Sequence, residues 1–304
     1  MSAGPFADLP VIGELPRDDA LAKLRELGED AAADAIERAA PPPRTMRAAS
    51  FWPYDDRAWQ HTAHSIGFLP ADGGAGPQKI LGVGEAHADP SLKNARINIA
   101  LNALRVADYP GGGEHRVLFD FYARNQVPGA SEDLHFNAAY RVREGEHAAI
   151  RGYPIFVGVG VGAVGVAFQF HTVNVANEDD EAFLDFLEGD TFKSGLKLAT
   201  TMQPAIAPLA GMVLALTKSI AKRNRNVSVQ DCFLGLDFAG TAMGARLAAG
   251  DYIAVQIPEN LQRVWYWDDW VYDPRSGLIV STADPTALIP YNYVVFGVSH
   301  FEGD

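Results

Sequence analysis

A single cysteine, Cys232, stands in 304 residues, so no intrachain disulfide can form. That scarcity fits a reducing compartment. Its neighbours Phe233 and Leu234 are apolar, which reads as a buried, inert thiol rather than a nucleophile. Long hydrophobic runs are also missing. The two longest, 155–168 and 205–216, are interrupted by glycines and by Pro208. Neither reaches the roughly 18 to 20 apolar residues of a membrane-spanning helix. The N-terminal stretch Met1 to Glu14 lacks the basic start and apolar run of a signal peptide. The expectation is a soluble, cytoplasmic protein. Positive charge is in deficit, with 25 lysines and arginines against 38 aspartates and glutamates and a net charge of −13. So acidic a chain repels phosphate backbones, which argues against a nucleic-acid partner. No Gly-x-Ser-x-Gly elbow, P-loop or dinucleotide fingerprint is present.

What is present favours sheets. Hydrophobic residues make up 48% of the chain, enough for a core that needs no covalent staples. The 29 glycines and 19 prolines punctuate short patterned segments. Period-two alternation runs through 96–101, 116–122, 134–143, 231–238, 251–258 and 291–298, as half-buried strands require. In 157–162, valines take one parity and glycines the other, giving a strand with one bare face that another backbone, sheet or ligand can approach. With the following 168–175 this reads as a hairpin. There, Phe168, Phe170, Thr172 and Asn174 share one face, and Gln169, His171, Val173 and Val175 the other.

Helical spacing appears in two places. Leu21, Leu24 and Leu27, then 30–39, predict a helical hairpin after an extended lead-in, with Asp18 and Asp19 as N-cap and Pro41-Pro42-Pro43 as a stiff linker. A helical insert is expected at about 177–225, with helices at 182–187 and 211–223. The fold expected is mainly β: an antiparallel β-sandwich, C2-like in outline, over 46–304. The N-terminal hairpin and linker form a separate unit at 1–45.

Four groups of residues are candidates for chemistry. Glu85, His87 and Asp89 occupy alternate positions after the apolar run 80–83, so an extended backbone would turn all three to one metal or water. Gly84-Glu85-Ala86-His87 locally resembles the Gly-Glu-x-His signature of the erythromycin-esterase-like and TraB-like hydrolases. That resemblance implies metal- or water-activating hydrolysis at Glu85 and His87, over about six residues. His61 and His64, at spacing i, i+3, are a second imidazole pair that a helix would set on one face. Acidic loops form the third group. Glu178, Asp179 and Asp180, and Asp268, Asp269 and Asp273, supply the oxygen ligands calcium takes. With a β-sandwich this looks like C2 lipid-binding domains in outline, which implies calcium-dependent membrane contact. Lys218, Lys222, Arg223 and Arg225 are the densest cationic cluster and the other possible membrane contact. The fourth group is aromatic. Trp265, Tyr266, Trp267, Trp270 and Tyr272 could stack on a ligand or anchor a partner, or simply fill core. The leading functional expectation is a non-catalytic binding or assembly module, with a protein partner or self-association and no cofactor. The alternatives are a metal-assisted hydrolase at Glu85, His87 and Asp89, and a peripheral membrane protein.

Overall fold

Alternating apolar residues on long strands need a second sheet to bury against, and here they find it. The structure, a computed structural model, describes residues 5–39, 57–74, 76–127, 129–148, 150, 152–180, 184–185, 187, 206–239 and 245–302. Helices α1 (Arg17–Glu26) and α2 (Asp30–Arg38) form the N-terminal hairpin. Strands β1 (Ala63–Pro70), β2 (Gln78–Lys79), β3 (Leu81–Gly82), β4 (Arg96–Arg105), β5 (Glu114–Val127), β6 (Ala130–Arg143), β7 (Tyr153–Gly160) and β8 (Gly165–Val175) follow. Helix α3 (Ile206–Ala221) leads into β9 (Asn226–Asp237). The chain then forms β10 (Gly250–Ile257), β11 (Trp270–Asp273), β12 (Leu278–Ser281) and β13 (Tyr293–His300). No helix among the described residues is long and apolar enough to cross a membrane.

The strands form a central six-stranded sheet in the order β3-β1-β10-β13-β4-β7, a four-stranded sheet β6-β5-β8-β9, and a small sheet β12-β11-β2. All pairings within these sheets are antiparallel. The central and four-stranded sheets pack face to face, and aromatic rings lock them together. Phe296 of β13 meets Phe121 at 5.3 Å and Phe168 at 5.7 Å across the interface, and stacks on Tyr252 at 5.6 Å. The other face of the central sheet carries Ile253, Val255, Tyr293 and Val295, which the small sheet covers with Tyr272 and Ile279. Ala20, Leu24, Ala33 and Ile36 of α1 and α2 belong to the same hydrophobic cluster as the sandwich strands. The proline linker and the proposed boundary at residue 45 lie outside the described residues.

Several details differ from the sequence expectation. Residues 153–175 are not a hairpin: β7 pairs with β4 in the central sheet, whereas β8 pairs with β5 and β9 in the four-stranded one. The chain changes sheets at a glycine corner. A Cβ at Gly160 would collide with the Gln126 carbonyl, and one at Gly165 with that of Leu236, so the bare face serves close backbone approach. Helix α3 starts ahead of Pro208 because a proline in the first turn forfeits an N–H that has no intrahelical acceptor. Strand β9 starts at Asn226 rather than 231. A β-bulge pairs Thr172 with Gln230 but Val173 with Ser228, which breaks the two-residue period. Helix α1 is capped by Pro16 without a side-chain bond, and Asp18 and Asp19 lie in its first turn instead. Residues 5–15 are not a bare lead-in. Phe6, Leu9, Val11 and Ile12 are buried, and Ile12–Glu14 forms a 3-10 turn.

Two outcomes follow for stability. Phe296→Ala removes the ring that touches three others, and unfolding in urea should cost about 3–5 kcal/mol less than in wild type; a loss under about 1 kcal/mol contradicts this packing. The second concerns His64 on β1. Its ring lies edge-on to Phe170 at 5.9 Å, with Nε2 shielded and unpartnered. Burial pushes its pKa down to about 4. The folded state therefore disfavours the charged ring, and stability declines as pH falls from the ordinary 6.5 toward about 4. His64→Gln should flatten that component; equal slopes for both proteins in this window contradict it.

Candidate functional site

A sheet buried on one face needs polar residues on the other only if that face meets water. The four-stranded sheet departs from this rule, because its outer face is polar and covered. At one end, Ala139, Leu118, Val173 and Val175 pack under Leu184, Leu187 and Ile220. The next residues on that face are polar. Asn137, Asp120, His171 and Asp231 stand opposite one another across β6, β5, β8 and β9. Beside them lies a second row, His135, Tyr122, Gln169 and Phe233. Farther on, Arg124 stands opposite Asp133, and Ala167 opposite Gly235.

The rows are cross-linked. Asp120 is fully buried, and its Oδ1 lies 2.9 Å from His135 Nδ1. Thr217 Oγ1 of α3 donates to Asp120 Oδ2 at 3.1 Å and accepts from Asn137 Nδ2 at 2.5 Å. Gln169 Nε2 donates to Asp231 Oδ1 at 2.6 Å. The Tyr122 hydroxyl donates to Asp133 at 2.7 Å, and burial pushes its pKa up to about 12. His171 Nε2 lies 2.9 Å from Ser228 Oγ, while Nδ1 is 3.9 Å from Asp231 Oδ1. The β9 bulge brings Ser228 and Asp231, three residues apart, to the same side of the sheet. This resembles a Ser–His–Asp relay in composition only, because 3.9 Å is too long for the hydrogen bond that fixes a catalytic tautomer.

The N-terminal segment closes over these groups. The Phe6 ring stacks on His171 at 4.7 Å and meets His135 edge-on at 5.9 Å. Phe6 and Leu9 cluster with Tyr122. Asp8 accepts from Lys218 Nζ at 2.5 Å and from Lys222 Nζ at 3.1 Å, and these two bonds hold its pKa down to about 2. Burial raises the pKa of Glu14, and the Asp231 carboxylate adds to the rise. The cover is imperfect chemically. On this face Asn137 Oδ1, Gln169 Oε1 and His171 Nδ1 are buried without a hydrogen-bond partner. Each such group costs about 1–3 kcal/mol. Beyond the segment the face opens. Arg124, Ala167, Phe233, Gly235 and Asp237 line a pocket of about 310 Å³. Its rim includes Phe233, 52% exposed, and Val164, 76% exposed.

The residues singled out by sequence lie elsewhere. The chain turns at 83–85, so Glu85, His87 and Asp89 do not share the face of a strand. Glu85 and His87 are exposed. Asp89 caps the turn Pro90–Leu92 through the Ser91 N–H at 2.9 Å and lies 3.2 Å from His300. Asp179 is exposed, while buried Asp180 accepts from Arg223 and from Asn226 Nδ2. Asp268 pairs with Lys79 at 2.7 Å on the surface, and Asp269 is exposed. Among the described residues, no group of three or more His, Cys, Asp or Glu is placed to hold a metal ion. Trp267 and Tyr272 are buried in the cluster beneath the small sheet. Trp265 stacks on Trp270 at 6.2 Å, and both are half-buried at its margin. A 3-10 turn at Trp267–Asp269 separates them, so 265–272 is not one strand. His61 and His64 are not on a helix; they flank the start of β1. Lys218, Lys222 and Arg223 of the basic cluster are engaged by Asp8 and Asp180. Cys232 is buried, and its thiol pKa is pushed up by burial.

No protein-family model, curated protein or solved structure matches the chain. The class established is therefore architectural: an antiparallel sheet protein whose outer polar face is covered by its own N-terminal segment.

Asp120 is the node of this network. Asp120→Ala removes the carboxylate that pairs with His135 and the nearer of two acceptors of Thr217, the other being the Val213 carbonyl, in a buried setting, and should destabilise the fold by about 3–5 kcal/mol in urea unfolding. Asp268→Ala, at an exposed pair, should change it by less than about 0.5 kcal/mol. Equal effects from the two would contradict the network.

Proposed function

We propose that this protein is a non-catalytic binding or assembly module that engages its partner through the outer face of the four-stranded sheet. The observation that carries this reading is the pocket at Ala167 and Gly235 with Phe233 and Val164 exposed at its rim. Large apolar side chains held in water beside a concave floor are a recognised mark of a contact surface. The imidazoles and carboxylates next to it lie under Phe6, a position suited to shaping and supporting the face rather than to turning over a substrate. The aromatic tail supports the reading less, because Trp267 and Tyr272 are committed to core. Tyr266, 66% exposed, and Val264, 51% exposed, are what remain there for contact.

A solvatochromic apolar dye such as anilinonaphthalene sulfonate serves as the probe. It should bind the wild type saturably, and Phe233→Asp should weaken that binding at least about tenfold with the melting temperature unchanged. Dye binding indifferent to Phe233→Asp argues against the face. Assays with ester and phosphoester substrates, with zinc or calcium added or chelated, address the alternatives. Turnover that disappears in His87→Ala would replace this reading with metal-assisted hydrolysis, and calcium-dependent sedimentation with vesicles would replace it with membrane binding.

A further inference from the structure

We propose that residues 5–15 are a displaceable occupant of the sheet's outer face, and that the partner taken there is an acidic peptide with an aromatic anchor. This rests on the reading of that face as the binding face and names what it recognises. The segment's own contacts state the chemistry. An aromatic ring at Phe6 fills a socket made by His171, His135 and Tyr122. Two residues on, the Asp8 carboxylate bridges Lys218 and Lys222 on α3. Six residues further, Glu14 lies near Asp231 and His171, where its carboxylate and that of Asp231 repel.

The fit is therefore mixed. The socket and the lysine pair match the segment. Glu14 is desolvated beside Asp231, which repels its carboxylate, and His171, which attracts it; the His171 Nδ1 under the Phe6 ring has no hydrogen-bond partner, and Asn137 Oδ1 and Gln169 Oε1 on the same face of the sheet lack one too. A ligand that keeps the ring and the carboxylate but offers donors to those oxygens and a partner to the imidazole would occupy the face better than the segment does. The two lysines give the charge complementarity, in a chain whose net charge of −13 would otherwise repel an acidic peptide. The face continues past the segment into the open pocket at Phe233, so an incoming peptide has a place to land before the segment leaves.

The test uses the full chain and a fluorescent peptide copying residues 5–15. The double variant Phe6→Ala/Asp8→Ala should bind it saturably, and wild type at least tenfold more weakly because its own segment competes. A peptide with alanine in place of the phenylalanine should lose at least tenfold in affinity. Adding Lys218→Glu and Lys222→Glu should abolish binding. A folded double variant that binds no peptide, or binds a scrambled one equally, overturns the inference, as does binding only to anionic phosphatidylserine vesicles. Should the double variant fail to fold, hydrogen exchange on wild type decides. Amides at 6–9 should exchange at least tenfold faster than those of β5 and β8, and equal protection overturns the inference. Dye binding that depends on Phe233 without peptide binding rejects this inference alone and leaves the binding-face reading standing.

Discussion

The contact on which the molecule depends is the interlock of Phe296 with Phe121 and Phe168. It presses the four-stranded sheet onto the central one and commits one parity of β5 and β8 to the core. Because side chains alternate strictly, that commitment leaves the opposite parity outside. Asp120, Tyr122, Gln169 and His171 are outside for no other reason than that Phe119, Phe121, Phe168 and Phe170 are inside. The composition of the outer face is then the question the rest of the fold has to answer.

Two answers are visible. Where the outer face is apolar, α3 covers it through Ile220, and Leu184 and Leu187 join it. Where it is polar, the N-terminal segment covers it with one aromatic ring, and Thr217 reaches across from α3 to the buried carboxylate. The first cover is hydrophobic packing of the ordinary kind. The second encloses a carboxylate, two imidazoles and several amides, a costly arrangement unless the groups pair with one another. Most do pair. The exceptions on this face are Asn137 Oδ1, beside Thr217 of α3, Gln169 Oε1, and His171 Nδ1, whose ring lies against Phe6.

Much of this was legible in the sequence wherever a strand kept its period. The alternation in 168–175 assigned Gln169 and His171 to the face opposite the phenylalanines, and that is where they lie. The glycine parity in 157–162 pointed to a close approach by a backbone, sheet or ligand, and the Gln126 carbonyl makes it at Gly160. The polar cluster itself was not legible, for three physical reasons. Asp120 and His135 meet only through the register of β5 with β6. Ser228 and Asp231 share a face only because a bulge shifts the parity between them. Phe6 is far from His171 in sequence and meets it through tertiary packing alone. Local spacing instead drew attention to Glu85, His87 and Asp89, where a turn at 83–85 undoes the alternation that made them look convergent. An aspartate flanked by Phe119 and Phe121 on a strand was the available hint, since a carboxylate there must be either solvated or paired.

Solvent relaxation in NMR probes the central claim most directly. A soluble paramagnetic gadolinium chelate is added to wild type and to Phe6→Ala, and relaxation is compared on the two parities of β5 and β8. The account predicts that in Phe6→Ala the side chains of His135, Gln169 and His171 become accessible while Phe168 and Phe170 stay protected. Accessibility rising equally on both parities, or on neither, would contradict it.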